Sequence, residues 1–176
     1  MTTVSPRTEH PRVRTPDWDS ESFLLQRVQP GLSGLMDGAL STLAPIFAVV
    51  LATHHPLTAF YTGLATALGA GVSMAFSEGL SDTGEMTGRG SPISRGAITG
   101  GGTFLGGVFH TLPFLLPGYQ TAIAAAIVIV ATELLLLAWL RQRFFNTSFA
   151  RSFVSVTVGG AIIASLSAAL GVLAAG

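Results

Sequence analysis

The stretch LSGLMDGALSTLAPIFAVVLAT, residues 32–53, decides the fold. It is an unbroken run of apolar and small residues with one ionisable side chain, Asp37. A helix rising about 1.5 Å per residue needs roughly 20 such residues to cross a hydrocarbon core about 30 Å thick. A helix on the surface of a water-soluble domain would show a charged face. This run shows none, so its solvent is lipid.

Working outward, four more runs repeat the pattern: residues 57–81, 95–116, 119–140 and 152–175. His54, His55 and Pro56 end the first run, and Pro117-Gly118 separates the third from the fourth. Residues 82–94 form a polar loop and residues 141–151 a basic one. The expectation is an all-α membrane protein with five transmembrane helices per protomer, in one domain covering residues 31–176. Residues 1–30 are polar and Pro-rich, with no apolar signal-peptide core. They read as a cytosolic tail, largely disordered. Trp18, Phe23, Leu24, Leu25 and Val28 offer the alternative of a short helix lying on the bilayer surface.

Composition agrees. Of 176 residues, 49% are hydrophobic and 10% charged, whereas a soluble domain carries about 25% charged residues. Cysteine is absent, which excludes a disulfide framework and a thiolate metal site. The formal charge is zero, so placement matters more than the sum. All nine basic residues are arginines. Arg7, Arg12, Arg14 and Arg27 precede the first span; Arg89 and Arg95 lie between the second and third; Arg141, Arg143 and Arg151 lie between the fourth and fifth. With five spans all of them fall on one side. The positive-inside rule then makes the N-terminus cytosolic and the C-terminus outside or luminal. Tyr61, Tyr119 and Trp139 fall near the expected interfaces.

An ionisable residue inside a span costs on the order of 2.5–3.5 kcal/mol and marks a cavity, a partner or an ion. Asp37, Glu78, Glu133 and His110 are such residues. By helix rise the three carboxylates share the cytosolic half, which predicts one cation site fed by three helices. Glu78 is also close enough to the interface to snorkel. On the second span Gly63, Ala67, Gly71, Met74, Glu78, Asp82 and Glu85 follow helical spacing. On the first, Gly34, Asp37, Ser41, Pro45 and Ala48 do the same. Pro45 has no N–H for the Ser41 carbonyl, freeing an oxygen near Asp37 or simply kinking the helix. Carboxylates with a thioether suit ferrous iron or manganese, although a methionine at Met74 also serves plain packing. The candidate metal path is therefore Asp37, Met74 and Glu78, with Glu133, Ser41, Asp82, Glu85 and His110 as further members. His110 is open to a proton-relay role or to a hydrogen bond within the bundle. Gly96 with Gly100, and Gly102 with Gly106, have the spacing of close helix packing.

Other chemistry is missing. GGGTFLGG, residues 100–107, sits in an apolar span rather than between a strand and a helix, so it is no phosphate loop. There is no HExxH motif and no Ser/His/Asp set, and nothing points to an enzyme or to nucleic-acid binding. The sequon at Asn146 falls on the cytosolic side.

These residues resemble a known family. LMDGALSTLAPIFAV in the first span is similar to the Asp-Gly signature of vacuolar iron transporters, GAGVSMAFSEGLSD to their second-span signature, and HTLPFLLP to their third-span ending. The run from DGALSTLAPIFA through GRGSP to HTLPFLLP looks most like the C-terminal membrane domain of bacterial membrane-bound ferritins. The resemblance covers about residues 31–176. It implies a homodimer of five-helix protomers with the metal path between the two first helices. It also implies passage of ferrous iron or manganese out of the cytosol against protons, contributing to metal homeostasis. By this resemblance Asp37 and Met74 take part in passage, and Glu78 is the acidic position of the bacterial branch. The transported Fe2+ or Mn2+ is cargo, H+ the coupling ion, and no permanent cofactor is expected. The chain lacks the family's acidic cytosolic domain between the second and third spans and any Glu-x-x-His di-iron domain. Two other readings stay open: a membrane anchor or regulatory partner of a separate ferritin-like protein, and a small proton-coupled organic-cation exporter. The expected location is the lipid bilayer of a bacterial inner (cell) membrane.

Overall fold

The computed structural model describes residues 21–175. Among the described residues every regular element is helical. A turn of α-helix, Glu21–Phe23, and a π-helical segment, Leu24–Val28, run directly into α1, Gln29–Thr53. At the join the Gln29 N–H donates to Leu24 O, five residues back. Residues 21–30, expected in the tail, are thus helical and continuous with the first span; Trp18 lies outside the described residues.

His54 ends α1 in the left-handed conformation, φ 56°, with its N–H on Val50 O at 2.9 Å. Pro56 then opens α2, Pro56–Gly79, at a position where its missing N–H costs nothing. Pro92 does the same for α3, Pro92–Thr111, which tightens into a 3-10 turn, Leu112–Leu115, at Pro113. Gly118 at φ 91° turns the chain into α4, Tyr119–Phe145. The basic loop expected from residue 141 is shorter than its sequence suggested. Helix α4 continues through Arg141 and Arg143 to a left-handed Asn146. Thr147 Oγ1 donates to Arg141 O at 3.2 Å, and α5 starts at Phe149 and ends at Ala175.

Among the described residues four segments are long and apolar enough to cross a membrane: Glu21–Thr53, Pro56–Gly79, Tyr119–Phe145 and Phe149–Ala174. Their outer faces carry exposed Leu68, Val72, Phe76, Val128, Leu136 and Leu166. Contiguous apolar surface of this kind needs lipid or a partner to cover it. Helix α3 has a different composition because it is the centre of the bundle, packed on both α1 and α2. It buries its small and polar residues, Thr99, Thr103, His110 and Arg95 among them, and leaves Ile93, Leu105 and Phe109 outside.

Glycine permits that central packing. A Cβ at Gly102 would lie 2.7 Å from Gly31 O, and one at Gly106 would strike Leu35 O. On the opposite side a Cβ at Gly107 would lie 2.7 Å from the Ala67 methyl, and one at Gly71 3.0 Å from Gly100 O. The two GxxxG spacings act within the protomer: Gly102 and Gly106 face α1, and Gly96 and Gly100 face α2 at Ala75 O and Gly71 O. Backbone contact this close maximises dispersion where lipid removes any hydrophobic drive between helices.

Candidate functional site

Helix α1 carries Asp37 between Gly34 and Gly38, both pressed on the α3 backbone. The Asp37 side chain is half-buried and has no hydrogen bond or ion pair among the described residues. One turn on, the Ser41 hydroxyl is buried with no partner. Thr42 and Thr103 instead turn their hydroxyls back to the carbonyl four residues earlier, at 2.8 and 3.0 Å, whereas Thr99 and Thr157 share the unpartnered state of Ser41. Pro45 leaves the Ser41 carbonyl without its helical donor as well. A carboxylate, a hydroxyl and a carbonyl thus line one stripe of α1 unsatisfied. Met74 is half-buried on α2.

The structure does not bring Asp37, Glu78 and Glu133 into one group. Among the described residues no three His, Asp or Glu side chains converge on a common point. The physical reason is that Glu78 and Glu133 each have a closer counter-charge, which depth along the helices could not reveal.

Glu78, at the end of α2, accepts through Oε1 from Arg89 NH2 at 2.7 Å and from Arg95 Nε at 2.9 Å. Asp82 takes Arg89 NH1 on Oδ2 at 3.1 Å and stands 3.2 Å from Arg95 NH2 through Oδ1. Arg95 is 0% exposed. Its remaining donors reach Gly90 O at 3.1 Å, Asp82 O at 3.3 Å and Ser81 Oγ at 3.4 Å. A buried guanidinium survives only when paired and hydrogen-bonded on all sides, and the residue 80–91 loop wraps it to that end. Desolvation pushes the Asp82 carboxyl up. The hydrogen bond from Arg89, the Gly84 N–H and the charges of Arg95 and Arg89 outweigh it and hold the carboxyl below the usual carboxylate range. The loop is further tied to the lead-in helix by Gln26 Nε2 on Gly88 O and Arg27 on Ser94 Oγ, both at 3.1 Å. Glu85 is exposed beside a wholly exposed Met86.

His110 and Glu133 meet across α3 and α4, where Nε2 and Oε2 stand 3.2 Å apart. The distance is that of an ion pair; the alignment is not that of a hydrogen bond, and Oε2 has no hydrogen-bond partner. On the other ring edge Nδ1 lies 3.0 Å from Gly106 O. A carbonyl only accepts, so the hydrogen-bond network assigns the Nδ1 proton. Nε2 and Oε2 would both be acceptors unless one proton lies on one of them. Either placement makes the pair neutral overall, which suits a site of low dielectric. The structure thus places these two residues against each other, with no third His, Asp or Glu converging on them among the described residues.

Arg89 and Arg95 are the site residues that sequence reasoning missed, having counted them only as markers of orientation. The available signal was a basic residue one turn inside a helix directly after an acidic turn. Comparison with protein-family models, with curated proteins and with solved structures finds no match to this chain.

Proposed function

We propose that this chain moves a divalent transition metal, ferrous iron or manganese, out of the cytosol in exchange for protons. One observation carries the reading: the Asp37 carboxylate, unpartnered among the described residues, lies one turn from the buried, unpartnered Ser41 hydroxyl on the helix that contains Pro45. Oxygens left unsatisfied within an apolar bundle are costly unless an ion or water visits them. The resemblance of the first two span sequences and of HTLPFLLP to iron and manganese transporters supports the same cargo.

In this reading α3 with its 3-10 extension is the fifth span, its polar face turned inward and Ile93, Leu105, Phe109, Leu112 and Leu115 turned towards lipid. All nine arginines then face the cytosol, and the protein sits in a bacterial inner membrane. Two copies meeting along α1 double the oxygens around the path, with the Met74 thioether adding softness. Glu78 takes part only when Arg89 and Arg95 release it. The mechanism is exchange: the metal binds deprotonated Asp37 from the cytosolic side, and outward release is coupled to reprotonation.

The test is uptake of Fe2+ and Mn2+ by liposomes containing the purified protein, with and without a pH gradient. Gradient-dependent flux of either metal supports the proposal. A folded dimer that moves neither metal ends it and shifts the role to that of a membrane anchor.

A further inference from the structure

A second unsatisfied group lies outside the Asp37 stripe. Near the end of α4, Arg141 reaches across to α1, where NH1 meets Met36 Sδ at 3.6 Å. A thioether is a weak acceptor. Among the described residues it is the only acceptor found for the guanidinium, and Nε is buried without a partner. No carboxylate pairs with Arg141 among the described residues. The group lines a groove of about 430 Å3 between the start of α1 and the end of α4, whose other walls are Gln29, Leu32, Ser33, Met36 and Phe145.

The composition of this groove is two-sided. Arg141, Gln29 and Ser33 offer a cation and neutral donors, and no acid lines the groove among the described residues. Leu32, Met36 and Phe145 offer an apolar wall. The groove opens at the end of the bundle where α1 begins and α4 stops, the level at which a helix end meets lipid headgroups. A guanidinium fork matches phosphate oxygens bidentately and gains from an anion what a thioether does not give. An inorganic anion would satisfy the fork and leave the apolar wall bare. A phospholipid satisfies both.

We propose that this groove seats an anionic phospholipid, with its phosphate on Arg141, Gln29 and Ser33 and an acyl chain along Leu32, Met36 and Phe145. The lipid joins α1 to α4, two helices that otherwise touch little, and holds the helix that carries Asp37. The site stands independently of what the protein transports.

The experiment uses the full chain, purified in detergent and loaded with phosphatidylglycerol or phosphatidylcholine, with retained lipid counted by native mass spectrometry. The wild type should keep phosphatidylglycerol about tenfold more tightly than phosphatidylcholine, the size of one charge-assisted contact. Arg141→Gln should lose that preference. Arg141→Lys, which keeps the charge without the fork, should fall between and provides a folded reference. Arg143→Gln, the same charge change two residues away, should leave the preference intact. Equal retention by wild type and Arg141→Gln overturns the proposal, as does equal loss in Arg141→Gln and Arg143→Gln. Displacement of the lipid by inorganic phosphate alone at comparable concentration would also overturn it, marking a free-anion site instead.

Discussion

Oε1 of Glu78 accepts from Nε of the wholly buried Arg95 at 2.9 Å, and this bond fastens the end of α2 to the start of α3. Arg95 also holds three backbone or hydroxyl oxygens of the loop between those helices. Removing it leaves Glu78 and Asp82 with Arg89 alone and takes a donor from the Gly90 carbonyl. Arg95→Met should therefore destabilise the protein by about 1–3 kcal/mol, the usual cost of polar groups that lose a buried hydrogen-bond partner. Thermal unfolding in detergent measures this. Arg89→Gln should cost much less, because Arg89 is partly open to water.

Asp82 gives this clamp a pH dependence of known sign. Its carboxyl lies below the usual range in the folded protein. Its contribution is then fully present above the unfolded value, about pH 4. It is lost as pH falls through the lower folded value. Limited proteolysis of the residue 80–91 loop should be unchanged from neutral pH down to about 5 and accelerate only at lower pH. In Asp82→Asn cleavage should be faster at neutral pH, and the acid limb due to this residue should vanish.

Two glycines of α3 should respond oppositely to the same substitution. A methyl at Gly106 strikes Leu35 O and comes 3.2 Å from Ala39 N, whereas nothing lies within 4 Å of one at Gly101. Gly106→Ala should cost about 1–3 kcal/mol as α1 is pushed away. Gly101→Ala should be neutral or stabilising by up to about 1 kcal/mol through helix propensity. Melting temperatures of the two variants, compared at one detergent concentration, decide it.

The His110–Glu133 contact should tolerate a neutral donor and not an apolar one. In Glu133→Gln an amide N–H can face Nε2, so stability should change little. Glu133→Leu leaves a buried ring nitrogen unpaired and should cost about 1–3 kcal/mol. Nitrogen NMR of labelled histidine should find the Nδ1 proton retained on Gly106 O in wild type and in Glu133→Gln. A ring protonated only at Nε2 would contradict the assignment.

Much of the fold was legible because lipid allows few solutions. Long apolar runs and the breaks at His54-His55-Pro56 and Pro117-Gly118 placed the helices to within a few residues. Gly102 and Gly106 announced close packing through their spacing alone. The site was legible only where a residue's role is local: Asp37, Ser41 and Pro45 share one helix, and their stripe follows from 3.6 residues per turn. Glu78 and Glu133 were grouped with Asp37 by depth, yet depth carries no information on direction around the axis or on tilt. Their partners, Arg95 and His110, sit on another helix, and such pairs become visible only when helices are assembled. The helical state of residues 21–30 was legible only as an alternative, since their mixed composition is shared by tails and by interfacial helices.

The account turns on Asp37. The direct measurement is Fe2+ and Mn2+ flux into liposomes, driven by a pH gradient, for wild type and Asp37→Asn reconstituted at equal amounts. The amide keeps the shape and removes the charge, so the variant should assemble normally and lose flux by at least about 100-fold, as expected for loss of a charged ligand in a low-dielectric path. Undiminished metal flux through the folded variant would contradict the assignment of Asp37 to the path.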